Sequence, residues 1–220
     1  MLEIYRFGDV SVLVFLGSVV VALWLAIRCG VQALRGARDR AVRSAGYLAA
    51  VVAVYAAALS GLSLATPRQI IEPGGRHCFD DWCVGADAGA PLGAEASAAC
   101  QSPPGTRAWT VTLRVSNRGR GRRQRARDAV AMLEDQGGRQ YPPCPNPPPS
   151  SHPAPRLSDE VSAGESFDVP LVFALPGDAT PAGVVVSHGA FPDVLIIGAD
   201  QGFLHPRALL RVTITAPLAP

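Results

Sequence analysis

The chain has 220 residues, four histidines, five cysteines and a formal net charge of +2. Residues 1–66 carry six arginines against Glu3, Asp9 and Asp39, whereas the remaining stretch is near neutral, which argues against a general nucleic-acid binder. Every basic residue is arginine; with abundant Ala, Gly and Pro, this matches a GC-rich bacterial coding bias and says little about chemistry.

Residues 10–27 and 45–65 are two apolar stretches, each about long enough to cross a hydrocarbon core of roughly 30 Å as a helix. Between them, residues 28–44 hold Arg28, Arg35, Arg38, Arg40 and Arg43. Short arginine-rich loops are retained in the cytoplasm. Residues 1–66 therefore read as a transmembrane hairpin whose N-terminus and C-terminal continuation both lie outside the cytoplasm. A cleaved signal peptide has its basic cluster before the apolar run and small residues at the cleavage site; here the basic cluster follows. Ser60, Gly61 and Ser63 suit close helix packing in lipid. Trp24, Tyr47 and Tyr55 read as ordinary membrane aromatics. Neither apolar interior contains an ionisable residue, so no ion or proton path is expected through the pair.

Thr66-Pro67 ends the second helix, and residues 67–77, with Pro73, Gly74 and Gly75, read as a tether. Beyond it the period changes. Residues 109–116 (WTVTLRVS) alternate Trp109, Val111, Leu113 and Val115 with polar neighbours, the mark of a strand with one buried face. Further strands are expected at 82–86, 128–134, 139–141, 166–175, 183–187, 194–198 and 208–215. Pro170 places the 166–175 strand at a sheet edge or bulge. Seven or eight short strands punctuated by turn residues predict an all-β sandwich or barrel over 78–220. Residues 88–99 are small and featureless. Residues 142–155 hold eight prolines and lack the backbone donors for a ladder, so an extended surface loop is expected.

The run 109–117 ending in Asn117, the later Asp135, Gly138 and Tyr141, and Gly164-Glu165-Ser166-Phe167 before Val172-Phe173-Ala174-Leu175-Pro176 form a recognisable series. It resembles the immunoglobulin-like extracytoplasmic domains of unknown function found in bacterial lipoproteins and membrane-anchored proteins. The resemblance covers roughly residues 78–215. It implies an immunoglobulin-like fold and brings no catalytic residues; the anchor here is a helical pair instead of a lipidated cysteine.

Cys78, Cys83, Cys100 and Cys144 fall in the part read as extracytoplasmic, where disulfides persist. Of three connectivities, Cys78–Cys83 with Cys100–Cys144 is favoured. Cys29 is left as a cytoplasmic free thiol. His77, Cys78, Asp80, Asp81 and Cys83 also form a ligand-capable cluster, with His188 or His205 as outside partners. Their spacing does not match the paired cysteines of structural zinc, so no metal or other cofactor is expected. The run 117–127 (NRGRGRRQRAR) contains Arg118, Arg120, Arg122, Arg123, Arg125 and Arg127. The plain reading is a solvated hairpin turn; the functional one is contact with an anionic surface, weakened by salt. Ser187, His188, Asp200 and His205 invite a hydrolase reading, but Ser187-His188-Gly189 is no nucleophile elbow, and no catalytic residue is assigned.

The sequence thus predicts a two-pass bacterial cytoplasmic-membrane protein displaying a binding or scaffolding domain. It is expected to be no enzyme, with the lipid bilayer and an envelope or membrane protein as partners and no nucleic acid. The alternatives are a metal-dependent or hydrolytic envelope enzyme, and an accessory subunit of a transport or signalling complex.

Overall fold

The structure is a computed structural model that describes residues 3–93, 100, 105–145, 154–189, 193–197, 202 and 204–215, with side chains from residue 11 onward. Two compact units emerge, one from residues 1–67 with 190–206 and the other from residues 68–189 with 207–220.

The first unit is a helical hairpin, α1 (Glu3–Leu34) and α2 (Arg38–Ala65). The helices outrun the apolar stretches. Most of the expected 28–44 loop is helix, and only residues 35–37 are not. Arginine is a good helix former, and the first interruption is Gly36, whose φ of 71° is the left-handed conformation that glycine accepts at a helix end. Between the helices lie the buried residues Leu25, Ser44, Leu59 and Ser63, and Phe15 meets Tyr55 with ring centroids 6.3 Å apart. Other apolar side chains point outward, with Leu13 67%, Val20 66%, Val54 71% and Leu64 70% exposed. Residues 194–198, expected as a strand, instead begin in a 3₁₀ turn, Asp193–Leu195; Gly198 lies outside the described residues. The Leu195 carbonyl accepts a hydrogen bond from the Tyr55 hydroxyl at 2.5 Å. A short apolar run carries no period that separates strand from helix, and this one joined the helical unit.

The second unit is a β-sandwich of two five-stranded sheets. Its strands are β1 (Ile70–Ile71), β2 (His77–Phe79), β3 (Trp82–Pro91), β4 (Thr106–Asn117), β5 (Val130–Asp135), β6 (Gln140–Tyr141), β7 (Ser166–Pro176), β8 (Pro181–Ser187), β9 (Leu209–Arg211) and β10 (Thr213–Ile214). One sheet runs β1-β9-β8-β5-β6; the other runs β10-β3-β4-β7, with β2 also on β3. The alternation in β4 is as expected: Trp109, Val111, Leu113 and Val115 enter the core with Trp82, Val84, Leu133, Phe173, Val184 and Leu210. The expected 208–215 strand divides at Val212 into β9 in one sheet and β10 in the other.

The stretch expected as a tether is built into the sandwich. It supplies β1, parallel to β9, and then crosses β3 at Gly85, where a Cβ would meet the Gly75 carbonyl oxygen at 2.6 Å. β7 is an edge strand, as Pro170 implies, with Pro170 paired opposite Thr112. The start of the proline-rich segment lies along that edge: Pro143 bridges Phe173, and the Cys144 N–H donates to the Val172 carbonyl at 2.7 Å. Residues 146–153 lie outside the described residues.

Candidate binding surface at one end of the sandwich

Strand register gathers several loops at one end. Trp82 stands opposite Asn117, Ser116 opposite Ser166, and Val130 opposite Ser187. The 79–82 turn, the 118–129 loop and His188 therefore share that end. Asn117, 2% exposed, organises the loop. Its Nδ2 donates to the carbonyls of Arg122 (2.7 Å) and Val161 (3.1 Å), and its Oδ1 accepts from the Gly119 N–H at 2.8 Å. The Arg118 N–H donates to the Asp81 carbonyl at 2.8 Å, and Gln124 and Val161 exchange backbone bonds of 3.0 and 2.9 Å. Gly119 sits close to Asp81: a Cβ there would lie 2.7 Å from Asp81 Oδ2, so the carboxylate would have to shift.

On this frame all six arginines of the run are exposed. Arg123 Nη1 pairs with Glu160 at 2.8 Å, and Arg125 Nε donates to the Ser158 carbonyl at 2.9 Å. Among the described residues, Arg118, Arg120, Arg122 and Arg127 carry no acidic partner within salt-bridge distance. The run is not the expected hairpin turn, because β4 and β5 lie in different sheets; it is a solvated loop between the sheets that carries a patch of unneutralised charge. Such a patch attracts anions over about a Debye length, roughly 8 Å at physiological salt.

Beside the loop, His188 Nδ1 lies 2.5 Å from Asp128 Oδ1, and the Gly189 N–H donates to Asp128 Oδ2 at 2.9 Å. Partial burial would raise the Asp128 pKa; the bonds from Gly189 and His188 outweigh it and hold the carboxyl below its ordinary value. The imidazole packs on Trp82 (5.4 Å between centroids) and Phe79 (5.8 Å), and His77 also meets Phe79, at 4.7 Å. His188 and His77 thus share one aromatic cluster, which β2 and β3 present through their hairpin. The carboxylate found on His188 is Asp128, which the sequence reading did not connect to it; Asp200 lies outside the described residues, and His205 belongs to the helical unit. Ser187 ends β8 opposite Val130, and among the described residues no hydroxyl or thiol bonds to His188.

The cysteines join as favoured: Cys78 to Cys83 across the β2–β3 pair, and Cys100 to Cys144. The thiolates that a metal centre at His77–Cys83 needs are thereby consumed. Among the described residues no three His, Cys, Asp or Glu side chains stand close enough to hold an ion.

Two buried acids complete the polar interior. Asp135 accepts from the Arg139 N–H, Arg139 Nε and the Tyr141 hydroxyl, each at 2.9 Å. Asp135, Gly138 (φ 79°) and Tyr141 thus form a structural corner. Glu134 is clamped by both terminal nitrogens of Arg68, with Nη2 at 2.9 Å from Oε2, and by Gln140 Nε2 at 3.0 Å. Burial would raise both carboxyl pKa values, but the hydrogen bonds prevail and each lies below its ordinary value. The family resemblance implied this corner, whereas the Arg68–Glu134 pair spans 66 residues with no local signal.

No protein-family model matches the chain, and no curated protein sequence matches it significantly. Three solved structures are similar to it. A secreted protein from Mycobacterium tuberculosis, MPT63, is 15% identical over 57% of this chain and 93% of its own, with a TM-score of 0.40. The yjhA protein from Bacillus subtilis is 8% identical over 65% and 99%, with a TM-score of 0.35. An uncharacterized β-sandwich protein from Clostridium difficile 630 is 10% identical over 67% and 96%, with a TM-score of 0.36.

Proposed function

We propose that the chain is a two-pass anchor in a bacterial cytoplasmic membrane that displays an immunoglobulin-like sandwich outside the cytoplasm. The observation that carries this reading is the outward apolar surface of both helices. Leu13, Val20, Val54 and Leu64 are about two-thirds exposed or more, and soluble monomers rarely expose apolar surface on this scale. A core helix of a soluble protein buries that face. The two disulfides of the sandwich support an oxidising side.

Strand order supports the immunoglobulin-like class. The path β3-β4-β7 corresponds to A-B-E of such sandwiches, and β6-β5-β8-β9 to C′-C-F-G. The role is binding or scaffolding toward an envelope or membrane protein, through the arginine loop and the aromatic cluster at one end of the sandwich.

A C-terminal epitope tag tests the topology. The tagged chain is expected to stay in the membrane pellet through alkaline carbonate, and an impermeant protease added to spheroplasts is expected to remove the tag. Release by carbonate, or cleavage confined to inverted vesicles, would overturn the proposal.

A further inference from the structure

The arginines of the helical turn do more than mark a side of the membrane. α1 and α2 are antiparallel about Gly36, so residues at equal distances from the turn share a level. Trp24 and Tyr47 form one such level, Arg28 and Arg43 the next, and Gln32 and Arg40 the one nearest the turn. Two adjoining open-sided hollows of about 500 and 410 Å³ lie here. Trp24, Arg28, Gln32 and Arg40 line both; Arg35 lines the first, and Arg43 with Tyr47 the second. That size is within the range of small-ligand sites, about 300–1,000 Å³.

The chemistry of the lining is one-sided. Arg28 and Arg40 line both hollows, with Arg35 on the first and Arg43 on the second; among the described residues none of the four has a carboxylate within salt-bridge distance, and Asp39 lines neither hollow. Arg28 is held in place with its guanidinium 5.2 Å from the Trp24 ring centroid. Buried Ser44 donates to Gln32 Oε1 at 2.9 Å, which fixes the Gln32 amide between the arginines. Like charges lining adjoining hollows repel unless an anion joins them. Guanidinium forks match phosphate oxygens two at a time. Trp and Tyr settle at headgroup depth, and basic pockets between membrane helices at the cytoplasmic face suit anionic headgroups. The apolar faces of both helices continue directly from Trp24 and Tyr47, offering a path for acyl chains.

We infer that this inter-helix cleft is a binding site for the phosphodiester headgroup of an anionic phospholipid of the cytoplasmic leaflet, held by Arg28, Arg40 and Arg43. The inference rests on the membrane reading given above.

The test uses the full chain purified in mild detergent, with phosphatidylglycerol, cardiolipin or phosphatidylcholine added and retained lipid counted by native mass spectrometry. Wild type is expected to keep the two anionic lipids over phosphatidylcholine. The double variant R28Q/R43Q is expected to lower anionic-lipid retention at least fivefold. R38Q/R107Q loses the same net charge at positions lining neither hollow and outside the arginine loop, and is expected to stay within twofold of wild type. Equal losses in the two doubles, or no loss in R28Q/R43Q, overturn the cleft. Carbonate extraction of the wild-type chain from cell membranes separates the two ideas. Resistance with no lipid preference removes the cleft alone, whereas release from the membrane removes the anchor and the cleft together.

Discussion

Asn117 is a single side chain on which a whole loop depends. Its three hydrogen bonds satisfy two carbonyls and one amide at a buried position, and leaving buried polar groups unpaired costs about 1–3 kcal/mol each. Asn117→Ala is expected to destabilise the sandwich by about 2–3 kcal/mol, read as a lower midpoint of unfolding by tryptophan fluorescence. Asn117→Asp is expected to be no milder, because it sets a carboxylate against two carbonyls. The buried acids predict a pH dependence. The carboxyls of Glu134 and Asp135 lie below their ordinary values in the folded state. Their contribution is therefore complete above the unfolded value of about 4 and is lost as pH falls through the folded values. The unfolding midpoint should be flat from about pH 7 to 5 and drop below about pH 4. Arg68→Ala should lower it more than Glu134→Gln at neutral pH, since it leaves the carboxylate with Gln140 alone. A higher midpoint at pH 3 than at pH 6 would contradict this. The corner was legible through the resemblance to immunoglobulin-like domains, because Asp135, Gly138 and Tyr141 match the short corner motif of those domains. Arg68 and Asp128 were not legible as partners of Glu134 and His188, because strand pairing brings them together across 66 and 60 residues.

At the scale of elements, periodicity was a good guide wherever one face was buried and a poor one elsewhere. β4 alternated cleanly because one face meets the core. The run 194–198 has no polar phase, so nothing in its residues distinguished a strand from a turn held on a helix. Apolar length marked the hairpin but not its helical extent, because the arginines at 28–43 propagate a helix that only Gly36 interrupts. The disulfides divide the sandwich into a tight and a wide closure, with sequence separations of 5 and 44. In the chain-entropy treatment these contribute about 2 and 4 kcal/mol respectively. The double variant C100A/C144A should therefore lower stability more than C78A/C83A, and denaturant midpoints of the two proteins provide the comparison. The wide closure also pins the first residues of the proline-rich segment to β7, where the Cys144 N–H occupies the Val172 carbonyl. Losing it should free that edge, a row of unpaired backbone groups that invites association. Concentration-dependent light scattering by C100A/C144A, absent from C78A/C83A, is the expected sign.

For the molecule as a whole, orientation is the property on which the other functional statements depend, and the cysteines report it directly. Cys29 is the free cysteine and the other four are paired. If the arginines around Gly36 hold the hairpin turn in the cytoplasm, the sandwich matures where disulfides persist. Alkylation of unreduced wild-type protein then modifies one thiol, and reduction exposes five. Replacing Arg28, Arg35, Arg38, Arg40 and Arg43 by Gln removes the positive bias and leaves Asp39 in the turn. A fraction of chains should then insert the other way, leaving the sandwich in a reducing compartment. That fraction should show four additional free thiols without reductant and lose protease access to a C-terminal tag in spheroplasts. The two readouts must change together, because one reports the redox compartment and the other the side. Five arginines lost with both readouts unchanged would mean that something other than charge orients the chain. Extra thiols with an accessible tag would mean that the substitutions disturbed folding without inverting the hairpin.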